Sequence, residues 1–179
     1  ADISDEKAAV SFILNEQEAF CNTKDKKILE QVLNHYDQET TDFFRWEINY
    51  TQKELSTLIA KKSGIDFGDI LHLKALKRGK SGRITLLEIA GTKKTLSVGK
   101  ELEIRKWLSE SHLYSSAFVV QTDDITDGVP QKFVLKGAGW GHNVGLCQIG
   151  AAVMGDKGYG YQEILMHYYK QSSLVKLYE

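Results

Sequence analysis

The chain has 179 residues, a formal net charge of −1 and a hydrophobic content of 42%. This length suits one domain or one compact fragment with a real core, and the hydrophobic content excludes a disordered chain. The near-neutral charge argues against nucleic acid as a partner, because proteins that bind nucleic acid usually carry a basic excess. No apolar run reaches membrane-spanning length and no signal peptide precedes Ala1, so we expect a mature chain or one cut from something longer.

The N-terminal part of the chain is predicted to be helical. Residues 5–20 and 24–35 carry apolar side chains at helical spacing, with a turn between them. From 44 to 50 apolar and polar side chains alternate, which indicates a half-buried strand. The tetrapeptide TQKE at 51–54 is a capping box that starts the next helix, and Gly64 ends that helix.

Strands dominate the middle of the chain. We predict strands at 70–76, 84–89 and 96–98, a helix at 101–108, and a strand pair at 115–121 and 132–136 joined by a polar loop. Helices return at 147–154 and 161–169, and a last strand is expected at 174–177. Because strands cluster centrally and helices lie at both ends, the predicted class is α+β with mixed, mostly antiparallel strands.

The segment KGAGWGHNVGLCQIGAAVMGDKG at 136–158 combines seven glycines with one histidine. Its glycine spacing fits neither the dinucleotide-binding fingerprint nor the phosphate-binding P-loop. Close backbone packing explains the glycines but not the imidazole of His142 and the indole of Trp140 in the same turn. The other histidines are scattered, so we predict no metal site and no cofactor. The segment is therefore a candidate binding or catalytic site.

Two further residues have chemical potential. Cys147 lies close to His142 at the start of a helix, an arrangement that suits a thiol nucleophile. We expect instead an inert buried thiol, because the apolar helix that follows indicates a dry setting that raises the pKa. Cys21 is too distant in sequence to indicate a disulfide framework or a metal site with Cys147. Arg83 is a candidate anion ligand, with an ordinary hairpin-turn arginine as the plainer interpretation.

The stretch GAGWGHNVGLCQIGAAVMGDKGYGYQEILMHYY resembles the C-terminal signature of the SpoIID/LytB family, to which stage II sporulation protein D belongs. The matching positions are Gly139, Gly141, His142, Val144, Gly145, Gln148, Gly150, Ala151, Met154, Gly158, Tyr161, Ile164, Leu165, Tyr168 and Tyr169. Upstream, FRWEINYTQKELSTLI, SGRITLLEIAG, ELEIRKWLS and LYSSAFVV resemble further family motifs in the same order. Asn143, Leu146 and Cys147 replace the signature's glycine, methionine and serine. The resemblance covers about residues 43–179 and leaves 1–42 as a helical segment outside it.

The resemblance implies a SpoIID/LytB-like fold, a cell-envelope or secreted location, and lytic transglycosylation of bacterial peptidoglycan. In that mechanism one glutamate protonates the glycosidic oxygen and then activates the sugar's 6-hydroxyl, which gives a 1,6-anhydro product. The family's glutamate precedes a Cys-Gly-Gly-x-Thr-Glu segment in an N-terminal half that this sequence does not match. We therefore expect no catalytic residue here and an inactive isolated chain, whose partners are peptidoglycan glycan strands and the missing half.

The resemblance also indicates which residues would line a glycan groove. They are Gly139, Trp140, Gly141, His142, Asn143, Gln148 and Arg83. His142 and Gln148 would offer polar groups, the glycines would let backbone approach the polymer, and Trp140 would stack on a sugar face. Two alternatives remain open. One is a non-catalytic glycan- or partner-binding module of the cell envelope, and the other is a thiol enzyme that uses Cys147 and His142.

Overall fold

The computed structural model describes residues 2–15, 17–33, 41–141 and 144–176. The elements in these ranges are α1 (Glu6–Leu14), α2 (Lys26–Val32), β1 (Arg45–Thr51), α3 (Gln52–Ser63), β2 (Ile70–Arg78), β3 (Ile84–Gly91), β4 (Thr95–Gly99), α4 (Glu101–Trp107), β5 (Phe118–Thr126), β6 (Val129–Ala138), α5 (Gln148–Asp156) and α6 (Tyr161–Tyr168). These strands pair antiparallel. The predicted α+β class is therefore confirmed, with strands in the middle of the chain and helices towards both ends.

The chain divides into two compact units, each assembled from two stretches of sequence. The first comprises Ala1–Glu16 and Arg45–Gly141, and the second comprises Gln17–Phe44 and His142–Glu179. These limits differ from the division at residue 42 that the motif coverage suggests, because α1 belongs to the first unit and α2 to the second. Among the described residues, none of the helices combines the length and the apolar character that a membrane crossing requires.

Two antiparallel sheets build the described part of the first unit, with strand orders β1-β6-β5 and β2-β3-β4. Successive side chains along a strand point to opposite faces, so apolar residues at alternate positions give a sheet one buried face. The core side chains, each at most 2% exposed, include Leu55, Ile59, Phe67, Leu87, Ile104, Phe118 and Phe133. Helices α3 and α4 supply part of this cluster, and its burial is the main favourable term in the folding of the unit.

Gln52, the first residue of α3, is a buried polar side chain with its hydrogen bonds satisfied. Its Nε2 donates to the carbonyl oxygens of Ile70 and Pro130, both at 2.7 Å, and its Oε1 accepts the Ile70 amide at 2.8 Å. Ile70 begins β2 and Pro130 is the second residue of β6, so one side chain joins α3 to both sheets. Leaving such buried groups unpaired would cost about 1–3 kcal/mol each.

The helix predicted at 5–20 is too long, because α1 ends at Leu14. Asn15 is its C-cap, with extended φ and ψ angles of −96° and 143°, and the Asn15 side chain hydrogen-bonds within the last turn. Local bonds of this kind compete with continuation of a helix. Phe20 lies instead in a turn of the second unit, where its ring centroid is 5.6 Å from that of Tyr159.

The prediction of a polar loop at 122–131 is wrong, because most of this segment forms strand. β5 continues to Thr126 and β6 begins at Val129, so only Asp127 and Gly128 form the turn. Their φ angles of 50° and 80° are left-handed, as a two-residue type I′ turn requires. Most side chains at this end of the hairpin are exposed, which removes the apolar–polar alternation that identifies a strand.

Two further predictions fall partly outside the described residues. The strand expected at 174–177 is absent from residues 174–176, and Leu177 lies outside the described part of the chain. The helix expected at 24–35 runs over Lys26–Val32, and its last two predicted residues are also outside the described ranges.

The Asp127–Gly128 turn allows a direct test of its backbone conformation. Apart from its chain neighbours, no described residue has an atom within 4 Å of a Cβ placed at Gly128, so alanine there adds strain from the left-handed φ without a clash with them. We expect Gly128→Ala to lower the free energy of unfolding by about 1 kcal/mol in urea denaturation. Gly79→Ala is the matched control, because its Cβ would make an ordinary 3.8 Å contact with Thr85. Equal losses at both glycines would contradict the turn assignment.

The capping box of α3 makes stability depend on pH. Glu54 accepts the amide of Thr51 at 2.8 Å and its hydroxyl at 2.9 Å, and these bonds hold the pKa of Glu54 below its ordinary value of 4.5. A carboxyl group whose pKa is lower in the folded state than in the unfolded state stabilises the fold at pH values above its unfolded-state pKa. That stability is lost as the pH falls through its folded-state pKa. In thermal unfolding, Glu54→Ala should therefore destabilise more at about pH 7 than at about pH 3.

Lys53→Ala is the control for this experiment, because Lys53 is an exposed residue of the same helical turn whose side chain takes no part in the capping box. If Glu54→Ala lowers the thermal stability equally at both pH values, the role of the Glu54 carboxylate in the cap is contradicted.

Candidate functional site

The indole ring of Trp46 fixes the end of β6, from which the glycine loop begins. Trp46 on β1 is in register with Gly137 on β6. A Cβ at Gly137 would lie 2.0 Å from Cζ2 of Trp46, so the ring occupies the space that any other residue would need. Trp46 is 4% exposed, and its Nε1 donates to the carbonyl of Gly139 at 3.1 Å. The start of the loop is therefore held by a buried aromatic residue of the neighbouring strand.

Hydrogen bonds from two other segments hold the loop backbone after Gly139. Gly139 and Gly141 have left-handed φ angles of 71° and 73°, which glycine adopts at little cost. The amide of Gly141 donates to the carbonyl of Tyr114 at 2.9 Å. The carbonyl of Gly141 accepts Nε and Nη2 of Arg83 at 3.0 and 2.7 Å. The loop therefore has a defined conformation up to Gly141.

Three aromatic rings follow one another from the core of the first unit to its surface. Trp46 and Tyr114 meet edge to face with 5.5 Å between ring centroids, and Tyr114 and Trp140 lie 4.7 Å apart at 33°. Trp46 is buried, whereas Trp140 is 36% exposed. We call these three residues the aromatic ladder. Its outer ring is partly exposed and packs against Tyr114, which suits contact with a ligand that has a flat apolar face.

Arg83 supports the loop in the structure. The sequence makes this side chain a candidate anion ligand. In the structure Arg83 is only 5% exposed, and two of its N–H groups donate to the Gly141 carbonyl. Burial lowers the pKa of Arg83 to about 10, so the guanidinium stays charged at neutral pH. Its Nη1 has no hydrogen-bond partner among the described residues. Contact of Arg83 with an anionic ligand stays a prediction, and its observed role is to hold Gly141.

The structure brings some of the predicted site residues together. Gly139, Trp140, Gly141 and Arg83 belong to the first unit and form one connected arrangement. Gln148 is the exposed first residue of α5 in the second unit. His142 and Asn143 lie outside the described residues, so their predicted roles stay predictions.

The pKa of Cys147 is lowered, whereas the sequence predicts a raised one, and the inertness of its thiol stays a prediction. Its Sγ accepts the amide of Gly150 at 3.4 Å as the N-cap of α5, and the thiol of Cys21 hydrogen-bonds to it. These bonds, with the Cys21 thiol first and the Gly150 and Ile149 amides after it, lower the pKa of Cys147 despite its partial burial. Sequence inspection missed Cys21, because nothing in the spacing of the two cysteines indicates that the fold joins them.

Among the described residues, four carboxyl groups have pKa values below the ordinary range because hydrogen-bond donors stabilise the carboxylate. The pairs are Asp2 with Ser4, Glu54 with Thr51, Asp66 with Lys93, and Glu110 with Lys61. A general acid for glycosidic cleavage needs the opposite shift, so these four groups are unsuited to that role. Within the described ranges, no cluster of three or more His, Cys, Asp or Glu side chains is arranged to hold a metal ion.

The family comparison matches most of the chain but assigns no activity to it. No curated protein matches the chain. The matching family model covers residues 2–145, which include the helical segment outside the SpoIID/LytB resemblance and end in the glycine loop. Because this match spans more than half of the sequence, the chain belongs to the family described as a domain of unknown function (DUF8618).

Proposed function

We propose that this chain is the C-terminal part of a SpoIID/LytB-like protein of the bacterial cell wall. It would contribute one wall of a groove for peptidoglycan glycan strands that are cleaved by lytic transglycosylation, in the cell envelope or outside the cell. The observation that carries the proposal is the aromatic ladder, because its exposed end, Trp140, stands in the loop whose sequence resembles the SpoIID/LytB signature.

The aromatic ladder suits a neutral polymer of sugar rings. A pyranose ring has a face of C–H groups, and an exposed indole offers a complementary flat apolar surface. Tyr114 supports the indole of Trp140 from behind, and hydrogen bonds to Gly139 and Gly141 fix the loop on either side of it. Little ordering of the loop would therefore oppose binding, which favours affinity.

The glycine at 141 leaves room for a ligand beside the backbone. Its left-handed φ explains why glycine is favoured, but apart from its chain neighbours no described residue has an atom within 4 Å of a Cβ placed there. None of those described residues fills this space, in contrast to Gly137, where the Trp46 ring occupies it. A polymer that contacts Trp140 would be able to approach the backbone at this position.

The catalytic group would come from a part of the SpoIID/LytB domain that no residue of this sequence matches. Transglycosylation needs a proton donor within hydrogen-bond reach of the glycosidic oxygen. The four carboxyl groups described above hold their protons too weakly for this role at neutral pH. In this proposal the chain binds and positions the glycan, and another segment supplies the glutamate.

A non-catalytic glycan- or partner-binding module of the cell envelope is the second candidate function. The same aromatic ladder supports it, because stacking on a sugar needs no carboxylic acid. If the module binds glycan, the two candidates share a ligand and differ in whether a catalytic segment completes the groove; if it binds a protein partner, glycan strands are not its ligand.

The first prediction for this function concerns Trp140. We expect Trp140→Ala to weaken binding to denuded glycan strands about threefold to tenfold in isothermal titration calorimetry, because the stacking surface is lost. Trp140→Phe should retain most of the affinity, since a ring remains.

Ile125→Ala is the matched control for loss of exposed apolar surface, because Ile125 is 65% exposed on β5 and is not part of the aromatic ladder. Near-ultraviolet circular dichroism checks that each variant is folded. Unchanged affinity of a folded Trp140→Ala variant would remove the main support for the proposal.

The second prediction concerns activity. The isolated chain should release no 1,6-anhydro products from denuded glycan strands, followed by mass spectrometry beside an active lytic transglycosylase. Loss of the general acid alone costs about 10²–10⁴ in rate. Accumulation of such products, abolished by a single Glu→Gln substitution, would place the catalytic residue inside this chain and overturn the incomplete-enzyme proposal.

A further inference from the structure

Cys21 and Cys147 meet in the second unit although they are far apart in sequence. Cys21 lies in a turn, Cys147 caps α5, and both are half-buried thiols. Both side chains pack against a small core formed by Leu29, Phe43 and Ile149. The fold thus brings the two cysteines together around one small core, and neither residue is fully buried.

The surroundings of Cys147 favour its thiolate. The Gly150 amide donates to its Sγ at 3.4 Å, and the Ile149 amide and the Cys21 thiol also stabilise a negative sulfur. Backbone amides at a helix N-terminus stabilise anions, and a thiol there is more reactive than an ordinary one. The resulting fall in the pKa of Cys147 makes its thiolate available at lower pH than that of an ordinary cysteine.

The hydroxyl of Tyr168 lies at the same end of α5. A Cβ at Gly150 would be 2.1 Å from this hydroxyl oxygen and 3.6 Å from the Cβ of Cys147. Burial raises the pKa of Tyr168 to about 12, and the nearby Cys147 and Cys21 add to the shift. Tyr168 is therefore neutral at physiological pH and does not repel a thiolate at Cys147.

We propose that Cys21 and Cys147 form a redox-active dithiol in which Cys147 attacks a low-molecular-weight disulfide and Cys21 resolves the mixed disulfide. The inference rests on the contact between the two thiols and the helix cap, and it is independent of the proposed glycan function. It differs from the thiol-enzyme alternative, because His142 takes no part.

Each step is a thiol–disulfide exchange. The Cys147 thiolate attacks one sulfur of the reagent, the reagent's S–S bond breaks, and the departing thiolate takes a proton from water. Cys21 then gives its proton to water and attacks the Cys147 sulfur, which expels the second small thiolate. The two protein thiols lose two electrons and two protons, and one disulfide molecule becomes two thiols.

The closing step needs the two cysteines close together. A disulfide forms between side chains whose Cβ atoms are a few ångströms apart, and the side chains of Cys21 and Cys147 pack against the same small core. The new bond would link the turn of Cys21 to the start of α5, two segments from different stretches of the second unit. It would close a long loop, so we expect the oxidised chain to unfold at a higher temperature than the reduced one.

The test uses the full chain and oxidised glutathione at neutral pH. We expect the wild type to lose two hydrogen atoms in intact mass, and non-reducing peptide mapping to show a Cys21–Cys147 linkage. Cys21→Ser should stop at a stable glutathione adduct on Cys147, because the resolving thiol is absent. Cys147→Ser should form adducts on Cys21 at least tenfold more slowly than Cys21→Ser forms them on Cys147.

The wild type alone also tests the proposal, in case a variant fails to fold. Brief labelling with iodoacetamide should modify Cys147 of the folded chain faster than the same cysteine in urea. Slower labelling in the folded chain, equal adducts on both cysteines without a linkage, or only intermolecular disulfides would each overturn the proposal.

Discussion

The contact between Trp46 and Gly137 is the constraint on which the candidate glycan surface depends. The two residues face each other across β1 and β6, and the indole fills the space where a side chain at 137 would stand. The buried ring also contacts two further groups, since its N–H donates to the Gly139 carbonyl and the ring meets Tyr114 in an edge-to-face arrangement. Tyr114 in turn packs against Trp140. The glycine at 137 therefore makes room for the first of three aromatic rings that contact one another in sequence.

Much of the fold can be predicted from local sequence, and the predictions that are wrong have local causes. The capping box at 51–54 and the left-handed Gly64 delimit α3 as predicted, because both act through backbone bonds within a few residues. The sequence predicts too short a hairpin at 118–138, because most side chains at its outer end are exposed and apolar and polar residues do not alternate there. The Asp127–Gly128 pair was the available signal, since this dipeptide favours type I′ turns.

The sequence indicates which residues form the site, but it does not indicate the contacts that join them to distant parts of the chain. The glycines and Trp140 stand out in one stretch of sequence, so the loop could be found without a structure. The bonds from Arg83 to Gly141 and the contact between Cys21 and Cys147 join residues far apart in the chain, and neither pair leaves a periodic pattern. The direction of the Cys147 pKa shift also depends on such a partner, which outweighs the apolar helix that the sequence shows.

A cysteine at position 147, where serine is a usual N-cap, links local structure to chemistry. Serine is a favoured N-cap because its oxygen accepts an amide of the first helical turn, and Cys147 accepts the Gly150 amide in the same way. Sulfur is a weaker acceptor than oxygen, so the exchange gives up some capping strength. It adds a thiol at the end of the helix where negative charge is stabilised, next to Cys21. A serine at 147 would keep the cap and remove the sulfur chemistry, so the two roles of this position are separable.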